Sequence, residues 1–344
     1  MRSAIVYKWI HRVWYEGAPF SWLLLPLSGV YWLISSLRRL LYRAGILVTR
    51  RASVPLIVVG NITAGGTGKT PTVIWLVKEL RARGFRPGII SRGYGGSRSG
   101  TSMRVDADSD PGVVGDEPVL LARRGECPVV VDADRVRAAA MLVADGVDVI
   151  VADDGLQHFK LDRDFEICIV DGARGLGNGW LLPAGPLRES PQRLATVDQV
   201  LVNGRVHGQD IAPQDSLEFE LRAHEACRLN GSLTRPLGRF ADTTVHALAG
   251  IGNPWRFFDL LRAHRIQVIE HPSADHAVLA TSELEFSDDF SVFMTEKDAV
   301  KLGTNLADKY WYIPVAMHMD SAQATPLLER IESRLRDCVQ DPHD

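Results

Sequence analysis

Short runs of β-branched and apolar residues recur along this chain, each followed by apolar positions at helical spacing, with Gly, Pro and Asp clusters between them. Residues 56–59, 87–91, 128–131, 147–154, 165–171 and 199–203 read as buried strands. Residues 71–80, 119–122 and an Ala-rich stretch ending near Gly146 read as helices. Strand and helix in alternation predict an α/β fold, a mostly parallel sheet with helices on both faces. The pattern changes near residue 215. Residues 217–221 alternate, and Asn230-Gly231 is a hairpin signal, so residues 216–240 are expected to form a β-ribbon connector. A smaller C-terminal α/β unit is expected over 241–344. It would contain strands at 245–249, 266–269, 292–295 and 311–315, a helix over 255–264, and a last helix over 325–339 that buries Leu328, Ile331 and Leu335.

The N-terminus follows neither period. Residues 18–37 contain no charged side chain, but Pro26 and Gly29 interrupt them. Trp9, Trp14, Trp22 and Trp32 are aromatics of the kind found at membrane interfaces, and Arg38, Arg39 and Arg43 follow at once. This reads as a helix lying in a membrane surface or dipping into it rather than spanning it. A helical hairpin packed on the protein's own core would need fewer tryptophans and arginines. Charge agrees: residues 1–51 carry eight Lys/Arg against Glu16 alone, or +7, and since the whole chain carries -3 the remainder carries -10. A basic segment on an acidic body suits an anionic surface. Nucleic acid fits less well, because the basic residues flank an apolar run.

With 46% hydrophobic and 24% charged residues the chain is ordinary for a folded protein. Cys127, Cys168, Cys227 and Cys338 are far apart, which suggests neither zinc nor a disulfide framework and fits a reducing compartment. Nothing in the pattern indicates an oligomer.

Chemistry concentrates where the strands end. The first strand breaks into Asn61-Ile62-Thr63-Ala64-Gly65-Gly66-Thr67-Gly68-Lys69-Thr70 and resumes as a helix. That is the setting of a P-loop, whose backbone N–H groups and helix N-terminus wrap a nucleotide's phosphates. Residues 63–70 are the expected ATP contacts, with Lys69 on the β- and γ-phosphates and the Thr70 hydroxyl on Mg²⁺. Thr63 stands where the generic motif has its first glycine. The strand ending in Asp153-Asp154 has the form of a Walker B element, which delivers a carboxylate to the metal. Arg92 and Tyr94, in a glycine-rich turn, suit a sugar or phosphate as well as they suit a plain turn. Asp116 and Glu117 open a helix, where an acidic pair favours the N-terminus; on local grounds that capping role leads over catalysis.

Together Asn61 to Pro71, Ser91-Arg92-Gly93-Tyr94-Gly95-Gly96, Gly115-Asp116-Glu117-Pro118, Asp153-Asp154-Gly155-Leu156-Gln157-His158 and Thr295-Glu296-Lys297-Asp298 resemble, in content and order, the tetraacyldisaccharide 4'-kinase family of Gram-negative bacteria. The resemblance runs to about residue 318, and in this family Thr at the position of Thr63 is ordinary. It implies ATP- and Mg²⁺-dependent phosphorylation of the 4'-hydroxyl of a tetraacylated disaccharide 1-phosphate in lipid A biosynthesis, at the cytoplasmic face of the inner membrane. It implies that Asp116 is the base, assisted by His276, which overrides the capping reading. It also implies that Thr70, Asp153, Asp154 and Glu189 surround Mg²⁺, and that Arg92, Tyr94, Glu117, Arg135, Gln157 and His158 face the lipid's sugar and phosphate. The expected domains are then a membrane-docking segment (1–51), a P-loop kinase core (52–215), the connector and the smaller unit. Two other functions use the same loop. A kinase of a soluble metabolite has no use for the N-terminal segment. A membrane-associated nucleotide switch of GTPase type would carry Asn-Lys-x-Asp, where this chain has Asn203-Gly204-Arg205-Val206.

Overall fold

The structure is a computed structural model and describes residues 2–17, 21–97, 100–205, 212–273, 284–303 and 307–340. Helices α1 (Arg2–Tyr15) and α2 (Leu25–Arg43) lead the chain. Then come β1 (Leu56–Gly60), α3 (Lys69–Ala82), β2 (Pro87–Ser91), β3 (Met103–Val105), α4 (Pro111–Val114) and α5 (Asp116–Gly125). They are followed by β4 (Val129–Val131), α6 (Arg135–Ala144), β5 (Val149–Asp153), β6 (Phe165–Asp171), β7 (Gln199–Asn203) and β8 (Leu217–Arg222). Next are β9 (Glu225–Arg228), β10 (Thr234–Pro236), β11 (Thr244–Ala249), α7 (Pro254–Ala263) and β12 (Gln267–Pro272). The chain closes with β13 (Ser291–Thr295), α8 (Glu296–Ala299), β14 (Tyr310–Ile313), β15 (Ala316–His318) and α9 (Ser321–Gln340).

The large sheet has nine strands in the order β15-β8-β7-β6-β1-β5-β2-β4-β3, parallel except at its two edges. Every residue of β1, β2, β4, β5, β6 and β7 is buried, as a parallel sheet covered on both faces requires. The faces alternate: Ile57 and Val59 pack into the layer formed by α3, α5 and α9, while Leu56 and Val58 pack with α6. β3 has only one buried residue and pairs antiparallel on the edge; its brevity hid it from the hydrophobic pattern. The second sheet has six strands in the order β10-β9-β14-β13-β11-β12, around Phe240, Phe258, Phe293 and Trp311.

Two boundaries differ from the sequence expectation. Residues 217–222 are not part of a connector: β8 pairs in parallel with β7 and extends the large sheet. Only β9 and β10, meeting across Asn230-Gly231, form a hairpin, and that hairpin belongs to the second sheet through β14. The chain also does not finish in the smaller unit. β15 returns to pair antiparallel with β8, and α9 buries Leu327, Leu328, Ile331 and Leu335 with Phe165, Ile167, Leu201 and Phe219. Without α9 that flank of the large sheet would face water. Sequence periodicity shows that a helix has an apolar stripe, but not which sheet receives it.

Helix α2 is oriented against the usual rule, with its polar side chains turned inward. Ser28 Oγ donates to Leu181 O at 2.8 Å and accepts from the Ala184 N–H at 3.0 Å, Tyr31 OH donates to Arg188 O at 3.0 Å, and Arg39 pairs with Glu189. Its outer face exposes Leu27, Val30, Trp32, Leu33, Ile34, Leu37 and Leu40, next to Trp22 and Leu23. Among the described residues no helix is long and apolar enough to cross a membrane.

Candidate active site

In an open α/β sheet, ligands bind beyond the carboxyl ends of the strands. Here a cleft of about 900 Å³ lies at that edge, between the two sheets, within the range of small-molecule sites. Gly65 to Thr70 line it, together with Arg92, Tyr94, Glu117, Arg135, Asp153, Asp154, Gln157 and His158. The structure therefore brings most of the expected site residues into one cavity. Thr63 and Ala64 are outside it. Thr63 bridges to Leu187 and the Ala64 N–H donates to Pro186 O at 2.7 Å, so this end of the loop is held in sheet-like pairing. A buried, strand-like position has no need of glycine, which accounts for Thr63. Glycine is needed further on, at Gly68: its φ is +103°, and a Cβ there would meet Asn203 Nδ2 at 2.7 Å.

The loop is fixed by side chains. Asn61 Nδ2 donates to Thr67 Oγ1 at 3.3 Å, Asn61 Oδ1 accepts from Lys69 Nζ at 3.3 Å, and Asn203 Nδ2 donates to Thr67 O at 2.9 Å. Arg174, anchored on Asp171, donates to Gly66 O and, at 2.8 Å, to Gly252 O in the turn after β11. That turn presses on the loop so closely that a Cβ on Gly252 would collide with Gly66 N and lie 2.9 Å from Gly65 C.

The two aspartates at the end of β5 differ. Asp154 is held by Arg188 at 2.9 Å and lies 3.6 Å from Lys69. Burial raises its pKa, but Lys69 and Arg188 outweigh that and hold it well below the usual carboxylate range. Asp153 is 2% exposed, accepts a 3.3 Å bond from Ser91 Oγ, and among the described residues has no hydrogen-bond partner at Oδ1. Burial, and then the charges of Glu117 and Asp154, push its pKa up to about 7. A buried oxygen without a partner, in the cleft that the P-loop threonine also lines, suits a hard divalent cation. Arg135 is buried and donates to the carbonyls of both aspartates, at 2.7 and 2.9 Å. His158 Nε2 has no hydrogen-bond partner among the described residues, and burial with Arg135, Arg163 and Arg38 nearby lowers its pKa to about 4.

Three expectations need revision or fall outside the described chain. Glu189 is not among the cleft-lining residues; its buried carboxylate is held here by Arg39, by Gln157 at 2.8 Å and by Arg193 at 3.5 Å, which ties it to α2. Asp116 and Glu117 diverge. Glu117 lines the cleft and pairs with Lys297 at 2.8 Å, whereas buried Asp116 accepts from the Glu117 N–H and faces Lys301 Nζ at 3.5 Å. Lys301 in turn bonds Asp298, which accepts from the Gly250 N–H at 2.8 Å, so Asp116 belongs to a buried chain joining the two sheets. His276 lies outside the described residues. The sequence reading placed none of Tyr31, Arg38, Arg188, Lys297, Asn253 or Arg256 in the site, and all of them line the cleft. Of these, only Arg188 in its Gly- and Pro-rich loop and Lys297 in its motif carried a local signal.

Known proteins resemble this chain over most of its length. The family model described as tetraacyldisaccharide-1-P 4'-kinase matches residues 20–335. The tetraacyldisaccharide 4'-kinase of Nitrosococcus oceani is 46% identical over 94% of this chain and 94% of its own. That of Alkalilimnicola ehrlichii is 49% identical over 91% of this chain and 92% of its own. The crystal structure of LpxK from Aquifex aeolicus in complex with ATP superposes with a TM-score of 0.73 at 27% identity, covering 91% of this chain and 99% of that one. On the matched span, the identities and the shared fold, the chain belongs to the tetraacyldisaccharide-1-P 4'-kinase family.

Proposed function

We propose that this kinase transfers the γ-phosphoryl group of ATP to the 4'-hydroxyl of tetraacyldisaccharide 1-phosphate, in lipid A biosynthesis, with the following division of labour. The P-loop and Lys69 hold the phosphates and neutralise charge on the transferring group. Thr70 Oγ1 and Asp153 Oδ1 would hold Mg²⁺, which supplies further charge neutralisation across the phosphates. Asp154, tied to Lys69 and Arg188, keeps both cations in position. Asp116 accepts the proton of the 4'-hydroxyl as its oxygen attacks phosphorus in line and ADP leaves. It lies one residue from cleft-lining Glu117, and catalytic hydrogen bonds tighten when both substrates are bound. His276 assists it. Arg92, Tyr94, Arg135, Gln157 and His158 hold the sugar and its phosphate.

The observation that carries this reading is the continuity of one cleft. It runs from the phosphate loop, past two aspartates, to a basic and aromatic end formed by Arg92, Tyr94, Arg135 and His158 with Tyr31 and Arg38 of α2. An acylated sugar reaches that end from a membrane surface. The apolar outer face of α2 and the basic N-terminal segment support shallow insertion at the cytoplasmic face of the inner membrane.

The experiment is a kinase assay with Mg-ATP and the lipid disaccharide 1-phosphate, scored for the 4'-phosphorylated product, on wild type, Asp116→Ala and Glu117→Ala. Loss of kcat on the order of 10²-fold or more in Asp116→Ala, with nucleotide affinity kept, is the expected result. Wild-type kcat in that variant removes Asp116 as the base.

A further inference from the structure

The turn after the aspartate pair, residues 155–161, carries Gln157 and His158 into the cleft, yet little of its shape comes from its own backbone. Within it the His158 N–H reaches Gly155 O at 2.9 Å and the Leu161 N–H reaches His158 O at 3.4 Å. Most of its carbonyls find donors outside the turn, as backbone acceptors away from water must. Phe159 O accepts from Thr49 Oγ1 at 3.2 Å, and Lys160 O from the Arg50 N–H at 2.8 Å. Three more share one side chain. Arg163 donates from Nη1 to Leu156 O at 3.3 Å, and from Nη2 to His158 O at 2.6 Å and Leu161 O at 3.0 Å. Nη1 also donates to Glu166 Oε1 at 3.0 Å, and Glu166 is itself gripped by Arg193 at 2.5 and 2.6 Å. Glu166 belongs to β6, a wholly buried strand inside the large sheet, so the guanidinium is fixed to a rigid element. Arg163 is not among the cleft-lining residues; it shapes the turn from behind.

We infer that Arg163 is a positioning residue for phosphoryl transfer, setting through the carbonyls of Leu156, His158 and Leu161 where Gln157 and His158 meet the acceptor sugar. The inference rests on the proposed placement of the lipid's sugar against those two side chains. It needs the planar fork of arginine, because one ammonium cannot span three carbonyls and a carboxylate. The phosphate loop is braced separately, by Asn61, Asn203 and Arg174. Loss of Arg163 is therefore felt at the acceptor and not at the nucleotide.

The test compares wild type, Arg163→Lys, Arg163→Gln, His158→Ala and the double variant Arg163→Lys, His158→Ala. For each, kcat and KM for the lipid disaccharide 1-phosphate are measured, with the dissociation constant of Mg-ATP alongside. Both Arg163 variants should lose on the order of 10- to 10²-fold in kcat/KM for the lipid, as a displaced positioning element does, while binding Mg-ATP within about twofold of wild type. Arg163→Lys keeps the charge beside Glu166 and should not rescue the lipid term. The double variant should be hardly worse than the worse single one, because Arg163 acts through His158. Equal losses for ATP and lipid, an Arg163→Lys enzyme with wild-type lipid kinetics, or fully multiplicative losses in the double variant overturn the inference. Wild-type lipid kinetics in His158→Ala would instead remove His158 from the sugar site, a failure of the underlying reading that is visible whatever Arg163 does.

Discussion

The contact between the Gly252 turn and the P-loop makes a demanding test of how the two sheets cooperate. Gly252→Ala adds one methyl group. Its Cβ would collide with Gly66 N and lie 2.9 and 3.0 Å from Gly65 C and Cα. These are backbone atoms, so no rotamer change relieves the clash; either the loop or the turn must move by about 1 Å. A displacement of that size in a positioning element costs on the order of 10²-fold in kcat/KM. The expected cost in stability is smaller, about 1–3 kcal/mol, as for overpacking elsewhere. The bond from Arg174 to Gly252 O should be lost with it, because it is formed only while the turn and loop touch. The assay is kcat and KM for ATP with the lipid substrate, alongside thermal unfolding. Gly238→Ala is the control, since a Cβ there meets nothing within 4 Å. Wild-type kcat/KM in a folded Gly252→Ala protein would refute the argument, because catalysis would then not need the two backbones in contact.

Other outcomes follow from single groups. Lys69→Ala should lower kcat on the order of 10³-fold while leaving the unfolding temperature near wild type, measured by steady-state kinetics and calorimetry. Asp153 titrates near 7 in the folded protein against an ordinary value of 3.8. Between those values the native chain holds a proton that the unfolded chain releases, so stability falls as pH rises from about 4 to 7, by up to about 4 kcal/mol. With chelator and without nucleotide, Asp153→Asn should therefore melt higher than wild type at pH 8 and close to it at pH 4; parallel pH profiles would contradict this. The double variant Leu33→Glu, Ile34→Glu alters only exposed side chains of α2 and should reduce binding to anionic vesicles on the order of 10²-fold or more, with activity kept on detergent-dispersed lipid.

Most strands and helices were legible because a buried parallel strand leaves an unmistakable apolar run, as in residues 165–171. The P-loop and the aspartate pair were legible because their chemistry depends on residues close in sequence. Long-range placement was not. Nothing local to Glu189 shows that Arg39, 150 residues earlier, takes its carboxylate. The divergence of Asp116 and Glu117 depends on Lys301 and Lys297, which arrive from the other sheet. The pressure of Gly252 on Gly66 is a backbone contact between distant turns, and one glycine in a glycine-rich stretch announces no such role. The return of β15 and α9 was hidden for the same reason, since an apolar stripe does not name its partner.

That return has a consequence for how the molecule can be taken apart. The second sheet is an insertion: the chain leaves the large sheet at Arg222 and re-enters at Ala316, and those two residues are cross-strand partners in the antiparallel pair β8–β15. Both ends of the inserted lobe are therefore already side by side. A two-residue Asn-Gly turn could join them as an ordinary hairpin, deleting 223–315 without cutting the large sheet or removing α9. The shortened chain would keep the phosphate loop, the aspartate pair and helix α2 with its exposed apolar face on one continuous scaffold, and would lose the Gly252 turn, Lys297 and Lys301 together. Excision of this kind would separate gripping a triphosphate from transferring one.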